Sequence, residues 1–190
     1  MILEGLVTTT DAEGRPHLAP MGPAVDAAMR TFVLRPFPTS MTYQNLTRHP
    51  EGVLHVTDDA RLIAQAAVGK LAAPPEVRPA CAVRGFILSG ACRYFEFRVR
   101  HVDASGARVR LVAEVVAGGT LREFFGFNRA KHAVVEAAIL ATRFHIVPLA
   151  EVEAEFRKLR VIVDKTGGPD ELEAMAFLEA ELTALQGAAR

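Results

Sequence analysis

The segment Arg35-Pro36-Phe37-Pro38-Thr39-Ser40-Met41-Thr42-Tyr43-Gln44-Asn45-Leu46 gathers the groups that an oxyanion needs. A guanidinium precedes three hydroxyls and an amide at the start of a short helix. The free N–H groups and partial positive charge of a helix N-terminus favour a phosphate. Ser and Thr hydroxyls add donors, and arginine adds a bidentate, charge-assisted contact. The same residues also fit a plainer arrangement, in which Ser40 only caps the helix and Arg35 pairs with a surface carboxylate. A second segment, Asn128-Arg129-Ala130-Lys131-His132, opens a longer helix with two cations and a histidine. Cations there oppose the helix macrodipole at a cost of about 0.3–1 kcal/mol each when exposed. An anion is expected beside them, either a bound phosphate or a neighbouring Asp or Glu.

Other chemistry is sparse. The histidines are His17, His49, His55, His101, His132 and His145. None has the spacing of a helical metal motif or lies near a cysteine, so no metal site is expected. His55 falls inside a strand and reads as a satisfied interior residue. His17 falls in a proline-broken strand, where a role in a site is conceivable. Asp58 and Asp59 read as helix caps. Arg93, Arg98, Arg100, Arg108 and Arg110 lie on one hairpin and read as the solvated face of a sheet. There is no P-loop, no Gly-x-Gly-x-x-Gly and no Gly-x-Ser-x-Gly. Cys81 and Cys92 read as two reduced thiols.

The elements that must position these residues follow from periodicity and punctuation. Residues 2–10 read as a strand and 11–14 as its turn. Residues 15–25 are extended, because Pro16, Pro20 and Pro23 exclude a helix. Prolines also deny a full hydrogen-bond ladder, so this stretch belongs at a sheet edge or where a strand breaks to meet something. A strand over 31–35, a Ser40-capped helix over 41–48, a strand over 53–57 and a helix over 61–68 follow. Residues 69–80 read as a loop. Phe95, Phe97 and Val99, then Val109, Leu111, Ala113 and Val115, recur with a period of two about the turn at 103–106. That predicts a long antiparallel hairpin with one buried face. Residues 128–143 read as a mostly buried helix, and 144–147 as a last short strand closed by Pro148. Val152, Phe156, Leu159 and Val163, then Leu172, Met175, Leu178, Leu182 and Leu185, form two helical stripes broken at residues 167–170. The expectation is an α+β protein with a barrel-like centre over residues 1–148 and a C-terminal helical hairpin over 149–190.

Composition bounds the partners. The chain has 190 residues, half of them hydrophobic, with 22 basic and 22 acidic side chains. A zero balance argues against a polyanion, so no nucleic-acid partner is expected. The start, Met1-Ile2-Leu3-Glu4, lacks the pattern of a signal peptide. No apolar run is long enough to span a bilayer. A cytoplasmic protein without a membrane partner is expected.

Taken in order, these segments resemble the flavin reductase-like FMN-binding split-barrel superfamily. Within it the chain looks like a small family found in archaea and in some bacteria, including methylotrophs. The likeness is carried by Ile2 to Thr9, by His17-Leu18-Ala19-Pro20-Met21-Gly22, by Arg35 to Leu46, by Gly52 to Asp59 and by Phe127 to Glu136. It implies a split β-barrel, a homodimer with FMN near the subunit interface, and a small-molecule electron donor or substrate. Arg35, Thr39, Ser40, Thr42 and Asn45 would hold the phosphate. Ala19, Pro20 and Met21 would present backbone groups to the flavin ring. Asn128, Arg129 and Lys131 match a segment characteristic of the narrower family. Many relatives carry Lys or Arg before the helix threonine, where this chain has Met41, so Arg35 or a residue from elsewhere must supply the charge. The implied activity is that of an FMN-dependent oxidoreductase, with a context in tetrahydromethanopterin-linked one-carbon metabolism. A non-catalytic FMN carrier or sensor, and an interaction module without cofactor, are the rival readings.

Overall fold

The computed structural model describes residues 1–188. In chain order the elements are β1 (Gly5–Thr10), β2 (Pro16–Met21), β3 (Ala24–Val25), β4 (Thr31–Leu34), α1 (Met41–Arg48), β5 (Glu51–Val56), α2 (Ala60–Ala67), β6 (Val77–Pro79), β7 (Phe86–Leu88), β8 (Arg93–Asp103), β9 (Arg110–Thr120), α3 (Arg129–Ala141), α4 (Leu149–Thr166) and α5 (Pro169–Ala188). They form two compact units. One comprises Met1–Thr57 and Pro75–Phe124; the other comprises Asp58–Pro74 and the chain from Phe125 onward.

The first unit is built on a curled, antiparallel, seven-stranded sheet with the order β2-β1-β5-β8-β9-β4-β3. Every residue of β1 is buried. Apolar Leu6 and Val7 and the three threonines Thr8, Thr9 and Thr10 make it an interior strand, and it pairs with β2 on one side and β5 on the other. The proline-bearing strand β2 lies at one edge of the sheet, as a strand short of ladder donors must. Register shifts after Glu96 and Val99 bend the β8–β9 hairpin, and such irregularities increase local twist. The opposite edge strand, β3, meets the residues that lead into β1. Ile2 bridges Ala24, the Leu3 N–H donates to Pro23 O at 3.0 Å, and the Val25 N–H donates to Met1 O at 2.9 Å. The sheet thereby closes on itself. Its core holds Val7, Phe32, Leu34, Leu54, Phe97 and Leu111. Phe32 and Phe97 meet edge to face at 5.1 Å. The stretch over 69–80, expected as a loop, contains β6, which pairs with β7 as a separate two-stranded sheet.

The second unit packs α2, α3, α4 and α5 around one apolar core. The α3 helix buries Ala130, Ala133, Val134, Ala137, Ala138 and Ala141, in line with its apolar circumference. Val152, Phe156 and Val163 of α4 and Met175, Leu178 and Leu182 of α5 cover it, while Leu172 and Leu185 lie exposed. Two sequence-based expectations change here. Residues 144–147 form turns, with the N–H groups of Ile146 and Val147 both bonded to Arg143 O. Among the described residues no strand lies alongside them, and Phe144 instead joins the helical core, 6.1 Å from Phe156. The division expected after residue 148 also shifts. The apolar faces of α2 and α3 pack with α4 and α5, so four helices, and not a terminal hairpin alone, make up this unit. Among the described residues no helix is long and apolar enough to cross a membrane, and no group of His, Cys, Asp and Glu could hold a metal ion.

Candidate functional site

The entrance to α1 is shaped by the chain that leads into it. Pro36 and Pro38 exclude helix before Ser40, and the Val109 N–H on the hairpin fixes the turn by donating to Pro36 O at 3.1 Å. The Phe37 carbonyl accepts the Ser40 N–H at 3.0 Å and the Ser40 hydroxyl at 2.8 Å. Ser40 Oγ in turn accepts the Tyr43 N–H at 3.3 Å. This is the expected N-cap, and it commits Ser40 to the protein's own backbone.

The other residues of the segment divide by what they already bind. Asn45 is fully buried; its Nδ2 donates to Thr9 Oγ1 at 3.0 Å, and its Oδ1 accepts from Arg48 at 2.9 Å. Its amide therefore anchors α1 to β1. Thr42 is also buried, yet its hydroxyl makes no hydrogen bond among the described residues. No fully buried side-chain polar atom lacks a partner among them, so the Thr42 hydroxyl must reach the surface. The Met41 and Thr42 N–H groups have no partner among the described residues either, as the first turn of a helix requires. No acidic residue stands in that turn. Arg35 and Thr39 are exposed. The Arg35 guanidinium has no carboxylate within the 4.0 Å of an ion pair among the described residues, so the surface pair entertained for it does not form there. Two backbone donors and one hydroxyl are thus left at one helix start, and the Arg35 guanidinium, on the chain leading into it, enters no ion pair among the described residues.

The edge strand β2 runs beside α1. Ala19, Pro20 and Met21 pair with Val7, Leu6 and Gly5 and are partly buried. His17 lies on the same strand opposite Thr9. Burial pulls the His17 imidazole below its ordinary value, and Asp11 offsets this in part.

Asn128, Arg129 and Lys131 belong to the helical unit. Asn128 caps α3 by accepting the Lys131 N–H at 3.1 Å and donates to Thr166 O at 3.0 Å. The Lys131 ammonium donates to Asp58 O at 2.8 Å and to Glu171 at 2.7 Å. The anion expected at this helix start is therefore supplied in part by Glu171. Burial acts to raise the Glu171 carboxyl, but the Lys131 ammonium and the Gly168 N–H outweigh it and hold it below its ordinary value. Arg129 is exposed.

Sequence reasoning missed one buried polar residue that shapes the barrel unit. Glu96, 1 % exposed, accepts the N–H groups of Cys81, Ala82 and Val83. The alternation of the hairpin had put it on the solvated face with Arg98. Arg98 itself pairs with Glu51 at 2.8 Å and donates to Ala82 O at 2.7 Å. Burial acts to raise Glu51, but the Arg84 N–H and Arg98 outweigh it, and the carboxyl lies below its ordinary value. His55 is fully buried, as expected of an interior residue; Nδ1 bonds Leu6 O at 3.2 Å and Nε2 accepts the Leu88 N–H at 3.1 Å. Only the neutral imidazole with its proton on Nδ1 can make both bonds.

Comparison with solved structures agrees with this fold. The FMN-bound protein MM1853 from Methanosarcina mazei is 24% identical, with a TM-score of 0.80 over 95% of this chain and 94% of that one. An FMN-binding protein from Thermus thermophilus with bound 1-cyclohex-2-enone is 16% identical, with a TM-score of 0.53 over 63% of this chain and 70% of that one. The styrene monooxygenase flavin reductase of Pseudomonas putida S12 is 16% identical, with a TM-score of 0.53 over 64% of this chain and 82% of that one. No curated protein matches the chain. Residues 3–122 match the model of a protein of unknown function (DUF447), N-terminal domain, and residues 128–180 match the model of its C-terminal part, so the chain belongs to the DUF447 family.

Proposed function

We propose that this chain is an FMN-binding flavoprotein with oxidoreductase activity, and that its barrel unit holds the FMN phosphate at the entrance to α1. The observation that carries the reading is the set of donors left free there, the Met41 and Thr42 N–H groups and the Thr42 hydroxyl, with the unpaired Arg35 on the chain that leads into α1. A dianionic phosphate suits such a set, because backbone donors and the helix dipole act together and arginine adds charge. Near full-length likeness to an FMN-bound protein of the same family supports the choice of ligand.

In this reading Arg35, Thr39 and Thr42 bind the phosphate. Ser40 and Asn45 position it through the cap and the anchor to Thr9. Ala19, Pro20 and Met21 lie along the edge of the sheet, where backbone groups without a ladder partner are open to a flat heterocycle. Asn128 and Lys131 make bonds within the helical unit. FMN would supply the redox chemistry; the protein would bind and orient it and limit access of water to it. A diffusible small-molecule donor and a homodimer with the flavin near the subunit interface complete the reading.

The test is the absorbance of the purified protein, followed by anaerobic mixing with NADH, NADPH and a reduced deazaflavin. A flavin spectrum that one donor bleaches faster than it bleaches free FMN supports the oxidoreductase. Bleaching by dithionite alone favours a carrier or sensor. A colourless protein that takes up no FMN contradicts the proposal. Light scattering that finds only monomer at micromolar concentration contradicts the dimer.

A further inference from the structure

The small sheet of β6 and β7 covers one face of the barrel sheet, and that face is largely polar. Pairing among β1, β5 and β8 sets its side chains in rows. Leu6, His55 and Tyr94 make one row, Thr8, Val53 and Glu96 the next, and Glu51 with Arg98 a third. Most of them meet the backbone of the β6–β7 segment. The Leu88 N–H donates to His55 Nε2 at 3.1 Å, and the Cys81, Ala82 and Val83 N–H groups donate to Glu96. The Arg84 N–H donates to Glu51 at 2.7 Å, Arg98 donates to Ala82 O at 2.7 Å, and the Thr8 hydroxyl donates to Phe86 O. Among the described residues β6 and β7 share no ladder with the seven-stranded sheet. The apolar part of the contact is small: its buried members are Val53 from the sheet and Val83 and Ile87 from the segment above it.

Such a contact can part while the rest of a fold holds, because water satisfies the polar groups it uncovers and little apolar burial is lost. The member most sensitive to charge is His55. It is fully buried, and both ring nitrogens are bonded. A second proton turns Nε2 from acceptor into donor and sets it against the Leu88 N–H. The charged and titratable groups on this face are Tyr94, Glu96 and Arg98 of β8, Glu51 of β5, and Arg78 and Arg84 of the segment above, with Cys81 and Glu76 exposed at its margin; β1 contributes none. None of them sets the proton affinity of His55, which burial lowers and the Leu6 carbonyl raises. The other face of β1 belongs to α1, where Thr9 accepts the Asn45 amide.

We propose that β6 and β7, with the loop between them, form a flap that opens as one unit while the seven-stranded sheet stays folded, and that His55 is its latch, released when the imidazole gains a proton. Opening uncovers the face of Thr8, His55, Glu51, Glu96 and Arg98 and leaves the α1 side of β1 as it was. The uncovered imidazole takes its proton near the ordinary 6.5, the covered one only near 4. The open state therefore binds more protons, and opening grows as pH falls through that window.

The test is amide hydrogen exchange of the full chain, read residue by residue by NMR and expressed as protection factors, which remove the intrinsic pH dependence of exchange. The amides of Cys81, Ala82, Val83, Arg84 and Leu88 are expected to share one protection factor, at least about tenfold below that of the β8–β9 ladder amides. Urea below the unfolding transition is expected to lower it less steeply than the ladder's, because a flap exposes less surface than the whole fold. Between pH 7.5 and pH 5.0 the flap's protection is expected to fall about thirtyfold, from the shift of 6.5 to about 4. Carboxylates of ordinary pKa remain mostly ionised at pH 5.0. In His55→Gln, which stays neutral at both pH values, that fall is expected to vanish. Thr8→Val removes one bond and no titrating group. It is expected to lower the flap's protection about fivefold at both pH values and to keep the thirtyfold ratio, so it reads the latch even where His55→Gln fails to fold. Flap amides as well protected as the ladder, protection in the parent that does not fall with pH, a fall that a folded His55→Gln retains, or flap protection that Thr8→Val leaves unchanged overturns the proposal.

Discussion

His55 makes a pH prediction that concerns the fold and not the flavin. Burial lowers its pKa from 6.5 to about 4, and the Leu6 carbonyl offsets only part of that. In the unfolded chain the imidazole takes a proton as pH falls through 6.5, while the folded one remains neutral down to about pH 4. The unfolded state then binds more protons, so stability falls with pH across that window and is fully present above it. The shift from 6.5 to about 4 corresponds to about 3 kcal/mol. Urea unfolding at pH 7.5 and pH 4.5 is expected to show such a loss in the parent and a smaller one in His55→Gln, whose own stability is lower throughout. An equal pH dependence in both would assign the loss to other groups. At the proposed flavin site the expected losses are in affinity. Arg35→Ala is expected to weaken FMN about tenfold or more, the worth of a hydrogen bond to a charged group. Thr42→Val is expected to weaken it by less, with the fold intact by circular dichroism. Unchanged FMN affinity in both variants would move the phosphate elsewhere. The Ser40 cap and the interior place of His55 were legible, the first from local rules and the second from its strand. The bonds of Glu96 and His55 were not, because their partners lie in a distant loop and in β7.

Elements whose signals are local were read correctly, and those decided by tertiary contact were not. Pro36, Pro38 and Ser40 bound the start of α1, and the period of two marks β8 and β9. The two short strands β6 and β7 carry no such period. They exist because Leu88 N–H meets His55, the Thr8 hydroxyl meets Phe86 O, and the Cys81 to Val83 backbone meets Glu96. Residues 144–147 failed in the opposite sense, since β-prone residues with no neighbouring strand gain more by packing Phe144 into a helical core. Strand closeness gives a further prediction. A Cβ on Gly52 would stand 2.8 Å from both Thr8 O and the Phe97 ring. Gly52→Ala is therefore expected to force β1 and β5 apart and lower the melting temperature by several degrees, on the scale of about 1–3 kcal/mol for overpacking. A melting temperature equal to the parent's would show that the sheet yields there without cost.

At the scale of the molecule, the barrel unit was foreseeable from its alternating strands, and the resemblance named its type. The extent of the helical unit was not, because nothing local in α2 or α3 says which neighbour will cover an apolar face. The packing predicts that a fragment ending at residue 148 exposes Ala133, Val134 and Ala137, which α4 and α5 otherwise cover. Such a fragment is expected to bind a hydrophobic dye or to aggregate; a cooperative unfolding transition in a soluble fragment would contradict the shared core. The central claim is narrower than any of these: the chain binds FMN, and it does so through the phosphate at the entrance to α1. The measurement that tests it most directly is fluorescence titration of flavin-free protein with FMN and with riboflavin, which lacks the phosphate. FMN is expected to bind at least about tenfold more tightly, and the difference is expected to shrink in Arg35→Ala. Equal affinity for the two flavins in the parent protein would contradict it.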